Sequence, residues 1–87
     1  MTHRASPKFW EFHSRLPGEI QKLAKENFDL LKNDSRHPSL HFKKVGRMWS
    51  ARIGIHYRAA AVEDDSDMIW FWIGHHSEYD RLIGRFH

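Results

Sequence analysis

Cysteine is absent from the chain. That excludes disulfide staples, thiolate nucleophiles and any zinc site built on sulfur. Long apolar runs are missing too. Nothing approaches the roughly 18 consecutive apolar residues of a membrane span, and Met1-Thr2-His3-Arg4 does not lead into the apolar stretch of a signal peptide. The expectation is a cytoplasmic protein with no membrane role. With three prolines and five glycines among 87 residues there is no linker or low-complexity segment, and no internal repeat is visible, so the chain reads as one domain over residues 1–87, with residues 1–6 loose at its start.

A further absence is local. Between Arg36 and Arg58 there is no aspartate or glutamate, while Arg36, Lys43, Lys44, Arg47, Arg52 and Arg58 share the stretch with His37, His41 and His56. The acids gather instead in Glu63-Asp64-Asp65-Ser66-Asp67 and along the early helix. A formal charge of only +3 therefore hides a segment of one sign, whose natural guest is a nucleic acid or an acidic protein.

What the chain has in abundance is aromatic surface: four tryptophans, six phenylalanines and two tyrosines, each able to remove a large area from water in a small core. Ser6 to Arg15, carrying Phe9, Trp10 and Phe12, reads equally as a short strand or a helical turn. Pro17 and Glu19 suit the first turn of a helix, and Ile20, Leu23, Ala24, Asn27, Phe28 and Leu31 then recur at helical spacing, ending before Asn33-Asp34-Ser35 and Pro38. Strands are expected at Leu40–Val45, Met48–Ile53, His56–Val62 and Met68–Ile73, with Gly46-Arg47 and Gly54-Ile55 as turns and the acidic cluster as a hairpin tip. In the second strand Trp49, Ala51 and Ile53 share one face, and Ser50 and Arg52 the other. The last strand is apolar on both faces, as a strand covered on each side should be. Ser77 would cap a short closing helix. The fold class is thus α+β, an N-terminal helical segment packed on a four-stranded, mainly antiparallel twisted sheet, with a short C-terminal helix. Trp49, Trp70, Phe71 and Trp72 are read as core residues ahead of base-stacking platforms.

RNA cleavage without a metal needs a base for the ribose 2′-hydroxyl, an acid for the leaving 5′-oxygen and cations for the charge on phosphorus. Arg52 and Arg58 lie on adjacent strands and can reach one sheet face if the strands pair around Gly54-Ile55. His75 and His76 end the last strand, and since neighbouring strand residues point oppositely only one can join that face; His76 is favoured. Tyr79 follows one helical turn later and can orient a hydroxyl or simply pack on the sheet. His41, Lys43, Lys44 and Arg47 are candidate RNA-backbone contacts, with lysines guarding an edge strand as the plainer alternative. Eight histidines invite a metal, but no helical His-x-x-x-His pair exists and His75-His76 chelates poorly on a strand. No metal or cofactor is expected.

The helix opening Leu16-Pro17-Gly18-Glu19-Ile20, the stretch His37 to Lys44, the segments Trp49-Ser50-Ala51-Arg52 and His56-Tyr57-Arg58, and the ending Trp70 to Asp80 together resemble the RelE/ParE toxin superfamily, and within it the HigB/YoeB-like translational repressors. The resemblance runs from about Phe9 to Ile83 and lies in the order of elements more than in any one motif. It implies a microbial-RNase-like fold and a toxin held silent by a cognate antitoxin, which would be acidic. It further implies ribosome-dependent, metal-independent endoribonuclease action on messenger RNA (an mRNA interferase). By the same resemblance Arg58 would bind the scissile phosphate, His76 move protons, Tyr79 serve as the C-terminal tyrosine, and Arg52 and Lys43 supply further cations. The chain departs from the RelE pattern of clustered C-terminal Lys/Arg and continues past Tyr79. Two alternatives stand beside the nuclease: a ParE-like inhibitor of DNA gyrase and a catalytically inactive antitoxin-binding relative.

Overall fold

A computed structural model of the chain describes residues 2–86. Nine elements follow in order: β1 (Thr2–Ala5), α1 (Pro7–Ser14), α2 (Gly18–Asn33), a 3₁₀ turn (Pro38–Leu40), β2 (Lys43–Val45), β3 (Met48–Ile53), β4 (Tyr57–Asp64), β5 (Asp67–His75) and α3 (His76–Phe86). The strands form one sheet in the order β1-β5-β4-β3-β2.

The sheet has five strands and is mixed, where the sequence reading gives four and treats the first residues as loose. Thr2–Ala5 pairs parallel with β5, from Thr2↔Asp67 to Ala5↔Trp70, while every other pairing is antiparallel. Four residues with no long apolar alternation carry little strand signal; the free backbone groups along β5 supply the partner. His3 anchors the strand, its Nδ1 accepting from Trp70 Nε1 at 3.2 Å with its ring stacked on the indole.

The Ser6–Arg15 ambiguity resolves as a helix. The Ser6 hydroxyl accepts from the Phe9 N–H at 3.3 Å, and Pro7 occupies the first helical position, where its missing N–H is no loss. In α2, Ala24 and Leu31 are buried and Leu23, Phe28 and Leu30 pack beside them, while Lys22, Lys25, Glu26 and Asp29 stay in water. The strand expected over Leu40–Val45 keeps only its last three residues. Leu40 closes the 3₁₀ turn, fully buried, and His41 takes a left-handed conformation at φ 45° that breaks the extended path. At the other end of the chain, the cap of α3 is not Ser77. It is His75, whose Nδ1 accepts from the Ser77 N–H at 3.2 Å.

Two apolar clusters lie on opposite sides of the sheet. Beneath α1 and α2 are Phe9, Leu31, Leu40, Ala51, Ile53, Ala59, Ala61, Met68, Trp70 and Ile73. Beneath α3 are Met48, Ala60, Trp72 and Tyr79, flanked by Val62, Leu82 and Ile83. Trp49 and Phe71 are half-buried against these clusters, so the tryptophan-rich strands do build the core. An irregularity in the β4–β5 ladder connects the two sides. Ala60 pairs with Trp72 and Ala61 with Trp70, which leaves Phe71 as an extra residue on β5. Such a bulge reverses the alternation. Before it the even residues Met68 and Trp70 face α2; after it Ile73 does, and Trp72 turns to α3.

Candidate functional site

The α3 side of the sheet is only partly covered. Between α3 and strands β2, β3 and β4 lies a hollow of roughly 270 Å³, lined by His41, Lys43, Val45, Ser50, Arg52, Arg58, His76, Tyr79, Asp80 and Ile83. Arg52, Arg58, His76 and Tyr79 thus meet in one place, with Lys43 and His41 at its rim. Lys44 and Arg47 do not join them. Lys44 pairs with Trp49 on the opposite sheet face, and Arg47 sits in the β2–β3 turn.

The arginines are brought together by the β3–β4 hairpin. Arg52 and Arg58 are directly paired across the ladder, and Gly54, at φ 66°, makes the tight connection that permits it. A side chain at Gly54 would also press on Leu23 Cδ2, at 2.9 Å from an added Cβ. Each guanidinium has a close partner that is not a carboxylate. Arg58 Nη1 donates to the carbonyls of Ile55 (3.2 Å) and Tyr57 (2.8 Å), and Arg52 Nη1 lies 3.3 Å from His41 Nε2. The Arg52 Nε is buried without a hydrogen-bond partner. Among the described residues neither arginine forms an ion pair with a carboxylate. Burial, and then the neighbouring Arg52 charge, pull Arg58 below the ordinary guanidinium value, while Tyr79 and Asp80 pull it back up. Asp80 is an acid in the hollow that the acid-free stretch from 36 to 58 does not foretell.

The bulge at Phe71 decides between the two histidines. Because it shifts the phase of β5, His75 follows Ile73 to the α2 side, in a groove with Phe12, Arg15, Leu16, Tyr57 and Glu78, and His76 falls on the hollow side. Tyr79, 8% exposed, packs on Trp72 with ring centroids 6.2 Å apart and lines the hollow as well. Its ring therefore serves the core and the site together. His41 is where local strain is spent at the rim. A non-glycine residue in the left-handed region costs about 1–2 kcal/mol, and this one places its Nε2 against Arg52.

One cluster has no signal in sequence spacing. The β3–β4 turn carries His56 to the end of β5, where the His76 N–H donates to the His56 carbonyl at 2.8 Å. A ring nitrogen from each of His56, His75 and His76 lies within 4.8 Å of the other two. The Tyr57↔His75 register, extended by one residue, puts 56 opposite 76; only knowledge of the hairpin pairing reveals it.

No protein-family model matches this sequence, and no curated protein matches it. Solved structures do. A chain of the RelB–RelE antitoxin–toxin complex from Methanococcus jannaschii superposes with a TM-score of 0.69 at 22% identity, covering 88% of this chain and 95% of that one. The RelE–RelB complex from Pyrococcus horikoshii gives 0.69 at 15% identity, covering 85% and 92%. The RelBE2 toxin–antitoxin complex from Mycobacterium tuberculosis gives 0.61 at 23% identity, covering 85% and 88%. The chain has the RelE fold, helices on both sides of a mixed sheet, over nearly its whole length.

Proposed function

We propose that this protein is the toxin of a toxin–antitoxin pair and that its hollow binds and cleaves RNA, with messenger RNA on the ribosome as substrate. The observation that carries the reading is the paired guanidiniums of Arg52 and Arg58, neither in an ion pair among the described residues, facing His76 and Tyr79 across one hollow, on a fold shared with proteins crystallised as RelB–RelE complexes.

In this reading the scissile phosphodiester lies over the two arginines. Their forks neutralise its non-bridging oxygens and stabilise the extra charge of the pentacoordinate transition state. His76 takes the 2′-hydroxyl proton; the 2′-oxygen attacks phosphorus, and the 5′-oxygen leaves, drawing a proton from the Tyr79 hydroxyl or from water. The products are a 2′,3′-cyclic phosphate and a free 5′-hydroxyl. Lys43 and His41 hold the flanking backbone at the rim. A cognate antitoxin, acidic enough to cover the positive face, would hold the chain silent, and the cell compartment is the cytoplasm.

A second reading has one observation in its favour. The ring of Tyr79 is almost wholly buried against Trp72, as a purely structural tyrosine would be, which suits a ParE-like gyrase inhibitor or an inactive antitoxin-binding relative. Pulse-labelling after induction separates the readings. The nuclease stops incorporation of labelled methionine before DNA synthesis falters; a gyrase poison raises the DNA-damage response while translation continues, and that result would end the nuclease reading.

A further inference from the structure

The three imidazoles at the end of β5 are used only in part by RNA chemistry, since His56 and His75 do not line the hollow. The rings of His56 and His75 are nearly parallel, 7° apart with centroids at 6.1 Å; His56 and His76 are 6.3 Å apart, and His75 and His76 4.4 Å. The backbone hydrogen bond between residues 76 and 56 fixes the three Cα positions relative to one another.

Imidazole nitrogens around a tetrahedral ion with bonds of about 2.0–2.1 Å sit about 3.3 Å apart. The present separations, up to 4.8 Å, exceed that by an amount that rotation of the exposed His56 and His76 side chains closes. His75 is half-buried and already oriented. Its Nδ1, which accepts from the Ser77 N–H without metal, also lies 3.0 Å from the Ser77 hydroxyl; binding an ion through Nε2 moves the ring proton to Nδ1, which then donates to that hydroxyl in place of the cap bond, the usual outer support of a metal-bound histidine. Neutral imidazoles select zinc, copper or nickel over magnesium and calcium. Glu78 lines the groove that holds His75, and Asp80 the hollow that holds His76, so acidic groups as well as guanidiniums stand near the cluster.

We propose that His56, His75 and His76 form a three-histidine site for a zinc-class divalent transition-metal ion, and that filling it withdraws the His76 imidazole from the hollow. The second half rests on the ribonuclease reading above; the first does not.

The test titrates the purified full chain with Zn²⁺ by calorimetry while the histidine Cε1–H signals are followed by NMR. One ion should bind per chain. His56→Gln and His75→Gln should each weaken binding at least tenfold, and the signals of His56, His75 and His76 should move while those of His3, His37 and His41 stay. Unchanged affinity in both variants, or shifts at the other histidines instead, overturns the site; melting curves without metal show whether each variant is folded. For the second half, cleavage on programmed ribosomes should be blocked by Zn²⁺ in the wild type. His56→Gln should keep its basal cleavage and need at least tenfold more Zn²⁺. Cleavage that continues with the site filled overturns the inhibition. A chain that never cuts RNA defeats the ribonuclease reading, and the inhibition resting on it, while calorimetry still decides the metal site.

Discussion

Arg52 and Arg58 face each other across the β3–β4 ladder, and among the described residues neither forms an ion pair with a carboxylate. Directly opposed like charges destabilise a strand pair by about 0.2–1 kcal/mol, and the buried, unpartnered Arg52 Nε adds to that. A fold under no other demand would not keep the arrangement. Arg52→Met should therefore raise stability by roughly 0.5–1 kcal/mol in urea unfolding, and it should also reduce the rise in Tm that sulfate gives the wild type. A less stable variant, or one with the full sulfate response, would mean that the pair is not held apart by its own charge.

The His41 backbone supports the same conclusion. Its left-handed conformation favours glycine, so His41→Gly should stabilise the chain by about 1 kcal/mol. Because His41 Nε2 steadies Arg52, the same variant should bind RNA less well. Filter binding of a short single-stranded RNA, beside chemical denaturation, checks both signs.

Gly54 makes the hairpin that aligns the arginines. Gly54→Ala meets two penalties, φ 66° and the Leu23 methyl 2.9 Å from the new Cβ. A loss of about 2–3 kcal/mol is expected in urea unfolding. Wild-type stability would show that the turn relaxes without cost.

His3 sets a pH dependence. Burial, assisted by the nearby Lys32 ammonium, holds its imidazole below the ordinary value of 6.5, and its Nδ1 must stay unprotonated to accept from Trp70. With the folded value depressed, the unfolded chain takes up the proton first as pH falls. The stability contribution of His3 is complete above 6.5 and is lost below it, down through the folded value. Melting temperatures at several pH values between 7.5 and about 5 should show this loss, and His3→Gln, which keeps an acceptor for Trp70, should flatten it. An unchanged slope in the variant would assign the effect elsewhere.

How much of this is legible in the sequence depends on the range of the interaction. The apolar spacing of Leu23, Ala24, Phe28 and Leu31 gives α2, and the alternation of Trp49, Ala51 and Ile53 against Ser50 and Arg52 gives β3 and its two faces, because those patterns are local. Arg52, Arg58, His76 and Tyr79 are reachable from the same patterns together with the RelE/ParE resemblance. β1 is not, because its partner lies more than sixty residues away and its four residues carry no apolar repeat. The preference for His76 over His75 comes from the resemblance, not from strand counting: the structural reason is the extra residue Phe71, and period-2 counting cannot see a bulge. His56 escapes for the related reason that its neighbours are set by hairpin register. The curl of His41 out of β2, which separates Lys43 from Leu40, has no sequence signal beyond Pro38.

The central claim is that the guanidinium of Arg58 serves a phosphodiester in a working ribonuclease. Primer-extension mapping of a reporter messenger after induction tests it most directly. The wild type should produce new 5′ ends within the translated region, and Arg58→Ala, expressed to the same level and folded by circular dichroism, should reduce them by at least about a hundredfold, as for loss of a transition-state charge partner. Messenger left intact by the wild type, or cut equally well by Arg58→Ala, would contradict the account.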